Sequence, residues 1–195
     1  MMELRWDIIL IGTSAGGMKA LEAILPQIPQ DFPIPIVIVQ HMGPDSDNYL
    51  ASLLNEKCQV NVTEAQDGEK ILSGTAYLAP GGYHLLIEND KTLSLCVGEK
   101  INYSRPSIDV LFSSASDVFG EKTLAIILTG ANKDGTEGAI HIREDGGTVI
   151  AQDPATAEVP TMPQAVVDAE AADHVLPLDE IAQFIVGKVL LYDRD

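Results

Sequence analysis

The sequence has few basic residues in proportion to its acidic ones. Its 195 residues include 12 Lys and Arg against 29 Asp and Glu, which gives a formal net charge of −17. So few positive charges argue against nucleic acid as a partner, because a phosphate-binding surface needs clustered Lys and Arg. The same shortage argues against binding to an anionic membrane surface.

Cysteines and long apolar runs are also scarce. The two cysteines, Cys58 and Cys96, are too few for a disulfide framework or for a four-ligand zinc site. No His, Cys and Asp cluster has the spacing of metal ligands, so no metal is expected. No run approaches the roughly 20 apolar residues of a spanning helix, and the apolar run at residues 8–11 is too short for a signal peptide. These absences predict a cytoplasmic protein without direct membrane insertion.

What is present indicates a single domain over residues 1–195. A hydrophobic fraction of 46% with a charged fraction of 21% is sufficient for a sizeable core and excludes wholesale disorder. At roughly 150 residues per domain, the chain is long enough for one domain, and no polar linker divides it. The 16 glycines and 11 prolines are scattered, which excludes a collagen-like or low-complexity chain.

Short apolar runs alternate with segments of helical spacing along most of the chain. The predicted strands are residues 7–11, 34–39, 60–64, 75–79, 124–128, 148–152 and 174–176. The predicted helices are residues 18–25, 47–57, 107–119, 135–144, 162–171 and 178–191. Residues 83–88 and 92–97 predict a β-hairpin. Because continuous apolar strands separated by helices indicate a sheet covered on both faces, we predict a doubly wound, mostly parallel three-layer α/β fold with an inserted hairpin.

Three chemically useful side chains follow predicted strands. Ser14 lies in the glycine-rich segment 12–17 after the first strand, His41 follows the second strand, and Asp134 comes soon after the strand at 124–128. Catalytic groups lie outside the carboxyl ends of the strands in such a sheet, so we expect the three at one edge. Together they are the residues of nucleophilic acyl transfer.

The segment 12–17 admits several interpretations. A dinucleotide fingerprint would need glycine in place of Ser14, and a phosphate-binding Walker loop would need a Gly-Lys-Ser/Thr ending. As Gly-x-Ser-x-Gly it matches a nucleophile elbow, for which the amides of Ala15 and Gly16 are candidate oxyanion donors. The plain alternative is a small residue that packs in a strand-to-helix turn.

The other candidates have alternatives of their own. Of the four histidines only His41 directly follows a buried parallel strand, although an isolated histidine is more often structural. Asp134 is alternatively a turn residue or a helix N-cap. Arg105, before a predicted helix, is a candidate for binding a carboxylate or else a surface arginine. The order Ser14, His41, Asp134 excludes an ordinary α/β-hydrolase, in which the acid precedes the histidine.

In these segments the sequence resembles the catalytic domain of the CheB-type protein-glutamate methylesterases, the chemotaxis receptor methylesterases. The matching motifs are residues 11–17, 39–42, 79–84, 105–112, 128–135, 151–153 and 162–163. The resemblance implies a serine hydrolase that acts on γ-glutamyl methyl esters of chemoreceptors, with glutamine deamidation as a related activity and no cofactor. It places the family's triad on Ser14, His41 and Asp134. It also sets Met162, with Arg105, among the candidate substrate contacts.

The sequence departs from that family at several points. Members usually carry an N-terminal receiver domain, and none is expected from these 195 residues. A separate receiver or histidine kinase is therefore the candidate regulatory partner, and the methylated cytoplasmic region of a chemoreceptor is the candidate substrate. Residues 131–133 replace a commoner Met-Gly-Asn-like stretch, and Thr161 and Gln164 replace a usual glycine and a usual basic residue. A non-catalytic regulatory module with the same fold is the main alternative function. A conventional lipase or acetyl-esterase is a further one.

Overall fold

A computed structural model describes residues 4–43 and 49–190. The strands of its main sheet are β1 (Ile8–Thr13), β2 (Ile36–Gln40), β3 (Asn61–Glu64), β4 (Thr75–Leu78), β7 (Thr123–Ile127), β8 (Thr148–Gln152) and β9 (His174–Leu176). A separate antiparallel hairpin consists of β5 (His84–Ile87) and β6 (Leu93–Cys96). The helices are α1 (Gly17–Ile24), α2 (Tyr49–Lys57), α3 (Ile108–Phe119), α4 (Thr136–Glu144), α5 (Thr161–Asp168) and α6 (Leu178–Leu190). Within the described ranges, none of these helices is long and apolar enough to cross a bilayer.

The main sheet is parallel throughout. Its strand order is β3-β4-β2-β1-β7-β8-β9, so β1 lies in the centre with β2 on one side and β7 on the other. In this register Ile9 lies opposite Ile36 of β2 and Leu124 of β7. The prediction of a doubly wound parallel sheet with an inserted hairpin is confirmed.

Two apolar cores cover the two faces of the sheet. Successive side chains of a strand point to opposite faces, and β1 shows this clearly. Ile9 and Ile11 pack with residues of α1, α2 and α6, whereas Ile8 and Leu10 pack with residues of α3, α4, α5 and the hairpin. Because both faces are buried, the central strands have continuous apolar sequences instead of alternating ones.

Most observed bounds lie within two residues of the predicted ones, and the end of α5 differs most. The prediction extended this helix to residue 171, but it ends at Asp168. Glu170 takes a left-handed φ of 55°, and the amides of Glu170 and Ala171 donate to Val167 O and Val166 O. This is a Schellman ending without its usual glycine, so the sequence contained no stop signal. The predicted start of α2 at residue 47 and end of α6 at residue 191 lie outside the described residues.

Candidate active site

The three candidate residues follow neighbouring strands at the carboxyl edge of the sheet. Ser14 follows β1, His41 follows β2, and Asp134 lies in the loop after β7. The His41 amide donates to Thr13 O at 3.0 Å, so His41 leaves the sheet beside the end of β1. Sheet topology therefore brings to one edge three residues that are far apart in the sequence.

His41 and Asp134 are in direct contact. His41 Nε2 lies 2.7 Å from Asp134 Oδ2, and the exposed fractions of the two side chains are 11% and 0%. Because Nε2 faces a carboxylate, it carries the proton of the neutral ring, and Nδ1 is then the basic nitrogen. Nδ1 lies 3.5 Å from Ser104 Oγ. The ring can therefore accept a proton only at Nδ1.

The first turn of α3 holds the Asp134 carboxylate. Oδ2 accepts a hydrogen bond from the Ile108 amide at 2.7 Å, while Oδ1 accepts from Ser107 Oγ at 2.8 Å and from the Asp109 amide at 3.2 Å. The free amides and the dipole of a helix N-terminus stabilise an anion. Burial opposes ionisation, but the hydrogen bonds from the imidazole, the helix amide and the serine hydroxyl outweigh it and keep the pKa of Asp134 below its ordinary value. Asp134 is therefore a carboxylate at neutral pH.

Asp109 is a second buried carboxylate, which the sequence pattern did not single out. Its Oδ1 accepts from the Gly135 amide at 2.9 Å and from the Gly138 amide at 2.8 Å. It therefore caps α4, the helix that follows Asp134. Burial, with the charge of Asp134 adding to it, raises the pKa of Asp109 to about 6. The one available signal, an acid in the first turn of a predicted helix, also fits an ordinary surface carboxylate.

The two carboxylates thus cap each other's helices. Asp134 comes from the loop before α4 but binds the start of α3, and Asp109 comes from the first turn of α3 but binds the start of α4. The alternative that Asp134 caps its own helix is wrong, because the N-cap of α4 is Gly135 in a left-handed conformation, with φ 96°.

Thr129 and Gln40 hold the turn that carries Ser14. The Ser14 amide donates to Thr129 O at 3.0 Å, and Thr129 Oγ1 donates to Ala15 O at 2.8 Å. Gln40 Nε2 donates both to Ser14 O at 2.9 Å and to His41 O at 3.0 Å. One side-chain amide therefore links the backbone of the candidate nucleophile to that of the candidate base.

The Ser14 hydroxyl and the next two amides are available for a ligand. Across residues 4–43 and 49–190, no hydrogen bond joins Ser14 Oγ to His41 or to another side chain. Within the same ranges, the amides of Ala15 and Gly16 also have no acceptor. The φ of 80° at Gly16 directs the chain into α1 immediately after the serine. The structure thus joins His41 to Asp134 and leaves Ser14 at the same edge without a hydrogen bond to the imidazole. In many hydrolases the hydrogen bond between serine and histidine tightens only when substrate is bound.

A cleft of about 390 Å³ opens beside His41. Its lining residues are His41, Met42, Gly43, Gly82, Lys100, Tyr103, Ser104, Arg105 and Pro106. Arg105 Nη1 donates to Gly98 O at 2.7 Å and to Val97 O at 3.3 Å, and its Nε is buried without a partner among the described residues. Met162 is instead fully buried and packs against Gly130. Arg105 therefore borders the cleft and Met162 does not, and substrate contact by either residue stays a prediction.

Further polar residues orient the histidine and aspartate. Asn132 Oδ1 accepts from the Asp134 amide at 3.1 Å, and its Nδ2 donates to Ser104 Oγ at 3.3 Å. His84 Nδ1 accepts from the Ser107 amide at 3.1 Å, and its Nε2 donates to Glu99 O at 2.7 Å. His84 is therefore a structural histidine that joins the hairpin to the start of α3. The only sequence signal for Asn132 was its place in the stretch 131–133, which departs from the family pattern.

One group of three side chains in the described part of the chain has metal-ligand spacing. The ligand atoms of Asp117, His141 and Asp145 lie within 4.8 Å of one another. The group lies at the ends of α3 and α4 that are farthest from Asp134. His141 Nε2 is 3.3 Å from Asp145 Oδ2, which also accepts from Ser116 Oγ at 2.7 Å. His141 Nε2 is also 3.6 Å from Asp117 Oδ1, so the imidazole lies within ion-pair distance of both carboxylates.

Comparison with known proteins points to one family. The family model described as CheB methylesterase matches residues 9–185. A relative from Leptospira interrogans is 49% identical over 183 residues, which are 94% of this chain and 95% of that protein. The protein-glutamate methylesterase/protein-glutamine glutaminase of Thermotoga maritima is 42% identical over 185 residues, which are 93% of this chain but 54% of that protein. The crystal structure of the Thermotoga maritima CheB methylesterase catalytic domain matches with a TM-score of 0.90 at 42% identity, over 93% of this chain and 98% of that one.

Proposed function

The chain belongs to the CheB methylesterase family, and we propose that it hydrolyses methyl esters of glutamate side chains in chemoreceptor-type proteins with Ser14, His41 and Asp134 as its triad. The Thermotoga maritima relative is named for methylesterase and glutaminase activities. Both reactions hydrolyse an acyl derivative of a side-chain carboxyl group, so one set of residues can perform both.

One observation carries the proposal. The buried Asp134 carboxylate binds His41 Nε2 at 2.7 Å at the strand edge where Ser14 leaves β1. This contact fixes the tautomer of the imidazole and stabilises its positive form, as the aspartate does in other Ser-His-Asp hydrolases. Nδ1 is then the nitrogen that takes the proton of the serine hydroxyl.

Acylation follows from this assignment. Ser14 Oγ attacks the ester carbonyl carbon while His41 Nδ1 takes the hydroxyl proton. The amides of Ala15 and Gly16 stabilise the oxyanion of the tetrahedral intermediate. The intermediate collapses as the C–O bond to the methoxy group breaks, and the imidazolium gives its proton to the leaving oxygen. Methanol departs and a glutamyl ester of Ser14 remains.

Deacylation repeats the sequence with water as the nucleophile. His41 Nδ1 takes a proton from the water that attacks the acyl carbon, and the same proton returns to Ser14 Oγ when the ester bond breaks. The products are the glutamate carboxylic acid, which ionises at neutral pH, and free enzyme. With a glutamine side chain the first leaving group is ammonia instead of methanol.

The charges at the cleft favour an acidic substrate region. The basic lysine and arginine side chains among its described lining residues are Lys100 and Arg105, although the whole chain has a net charge of −17. Over short distances these two cations attract carboxylates, whereas the net charge repels them over long ones. Binding of an acidic protein is therefore expected to depend on a local match at the cleft.

The proposed compartment is the cytoplasm. Cys58 and Cys96 are free thiols, which suits a reducing environment. A separate receiver or histidine kinase as the regulatory partner stays a prediction.

Methanol release from a methylated receptor cytoplasmic fragment tests the proposal. We expect hydrolysis by the wild-type protein, none by Ser14→Ala, and unchanged hydrolysis by Ser73→Ala, which alters an exposed serine near the opposite edge of the sheet. A fluorophosphonate probe should label the wild-type protein and Ser73→Ala but not Ser14→Ala, because only an activated serine reacts with it. Wild-type turnover by Ser14→Ala would show that the nucleophile is misassigned.

A further inference from the structure

Residues 101–104 form a tight turn at the rim of the cleft. Ile101 and Ser104 pair through two backbone hydrogen bonds, of 3.1 and 2.8 Å. The central residues Asn102 and Tyr103 both have left-handed φ values, 49° and 65°. This is the arrangement of a type I′ turn, which favours asparagine first and glycine second. Asn102 fits that preference, whereas Tyr103 occupies the position where glycine is favoured.

Contacts among the described residues give no reason for a tyrosine at this position. The Tyr103 side chain is 96% exposed, more than any other large apolar side chain among the described residues, whereas Tyr77 is 1% exposed. A side chain in the left-handed region strains the backbone, and here no packing within the described chain offsets the strain. Strain of this kind clusters at functional sites, and this turn, unlike Glu170 at the end of α5, lies at the rim of the candidate site. The use of this side chain is therefore expected to lie in contact with another molecule.

The turn is tied to the histidine and aspartate of the site. Asn102 Nδ2 donates to Asp109 Oδ2 at 3.0 Å and lies 3.5 Å from Asp134 Oδ1. On the other side of Tyr103, Ser104 Oγ lies 3.5 Å from His41 Nδ1. Tyr103 is thus held at a defined position relative to the basic nitrogen of the site. A protein surface that packs on Tyr103 would be placed in register with the reacting atoms.

We propose that Tyr103 is a specificity-determining residue that packs against the protein substrate beside the methylated glutamate. This inference rests on the proposed function. Tyrosine buries a large apolar area at low cost in conformational entropy and retains a polar hydroxyl, which is why it recurs at energetically important interface positions. Lys100 and Arg105 flank the turn in the sequence and line the same cleft. The matching substrate surface has an apolar patch next to the ester, with carboxylates around it.

A comparison of two substrates tests this role. We would measure kcat/KM on a methylated receptor fragment and on a short peptide with one glutamate methyl ester, for the wild-type protein and Tyr103→Gly. Only the fragment has the surface that Tyr103 contacts. The kcat/KM on the fragment divided by that on the peptide should therefore fall about tenfold in the variant, mainly through a higher KM for the fragment. Tyr103→Phe, which retains the ring, should restore the ratio. Val175→Ala is the matched control, because Val175 is also exposed (45%) but lies on the edge strand β9.

Thermal unfolding separates this role from a structural one. Glycine removes the backbone strain of the turn, so Tyr103→Gly should have the same or a higher Tm. A lower Tm with equal loss on both substrates would assign Tyr103 a structural role and overturn the inference. An unchanged ratio would also overturn it. If wild-type protein hydrolyses neither substrate, the proposed function itself fails, whereas activity on the peptide preserves that function whatever Tyr103 does.

Discussion

Replacing Asp134 with asparagine should damage activity and stability together. The asparagine amide has one oxygen and one NH₂ group, so it can take two orientations. In the wild-type protein Oδ2 accepts from His41 and Ile108, while Oδ1 accepts from Ser107 and Asp109. With NH₂ at the Oδ2 position it opposes the Ile108 amide, which is only 2.7 Å away. With NH₂ at the Oδ1 position it opposes the Asp109 amide at 3.2 Å and, more weakly, Asn102 Nδ2 at 3.5 Å, whereas the Ser107 hydroxyl can rotate to accept. The second orientation is less unfavourable, and it keeps an oxygen on His41 Nε2.

The expected magnitudes follow from that geometry. Even if the neutral His41 ring keeps its tautomer, the imidazolium that forms during the reaction loses its counter-charge. The corresponding change in a serine protease lowers kcat by about 10⁴-fold. We expect a loss of about 10² to 10⁴-fold, since part of the protease effect comes from the wrong tautomer. The helix loses a charged cap and one buried amide is left unpaired, which should cost about 1–3 kcal/mol of unfolding free energy. A domain of ordinary stability, about 5–15 kcal/mol, stays folded after such a loss.

The assay pairs methanol release with urea unfolding at neutral pH. Asp134→Asn should lower both kcat and the urea midpoint, whereas Ser14→Ala should lower only kcat, because the Ser14 side chain is partly exposed and forms no hydrogen bond with a described residue. An unchanged midpoint for Asp134→Asn would refute the account of this carboxylate as the cap of α3. A kcat within tenfold of wild type would refute its catalytic role.

Two further predictions concern neighbours of the proposed triad. Burial raises the pKa of Asp109 to about 6 in the folded protein, above its ordinary value near 4 in the unfolded chain. Between about pH 4 and pH 6 the unfolded chain therefore ionises more readily than the folded protein, and the free energy of unfolding falls as the pH rises. Urea titrations across that window should show the wild type losing stability relative to Asp109→Asn, and parallel pH profiles would contradict this. A Cβ at Gly17 would lie 2.0 Å from Gln40 Oε1, so Gly17→Ala should displace the amide that links Ser14 to the base and lower kcat/KM for ester hydrolysis by about 100-fold, the scale of a misplacement near 1 Å. Gly187→Ala, with nothing within 4 Å, is the control and should retain full activity.

The fold was predictable because its signals are local. Apolar runs of strand length alternate with helical spacing, and both faces of the central strands are buried, so the runs are continuous. Each triad candidate directly follows such a strand or lies in the loop after it, which was sufficient to place Ser14, His41 and Asp134 at one edge. The end of α5 was not predictable, since Glu170 adopts the left-handed conformation that usually requires glycine, and the sequence has no glycine there.

The environment of the proposed triad depends on contacts that no local pattern encodes. Asp134 binds the start of α3, 26 residues earlier in the sequence, and only the packing of α3 beside the loop after β7 brings them together. Asp109 was hidden for the same reason. The orientation of the His41 ring, which makes Nδ1 the basic nitrogen, is likewise a product of where the carboxylate lies in space.

The exchange of caps between α3 and α4 also limits how this sequence can evolve. A lineage that no longer needed the esterase could replace Ser14 without harm to the fold. It could not replace Asp134 as freely, because α3 would lose its N-terminal partner, and a change at Asp109 would expose α4 in the same way. In descendants that have lost the activity, Asp134 should therefore be retained more often than Ser14. The residue at position 14 is then the better marker of retained catalysis, whereas a conserved Asp134 records selection on folding as well.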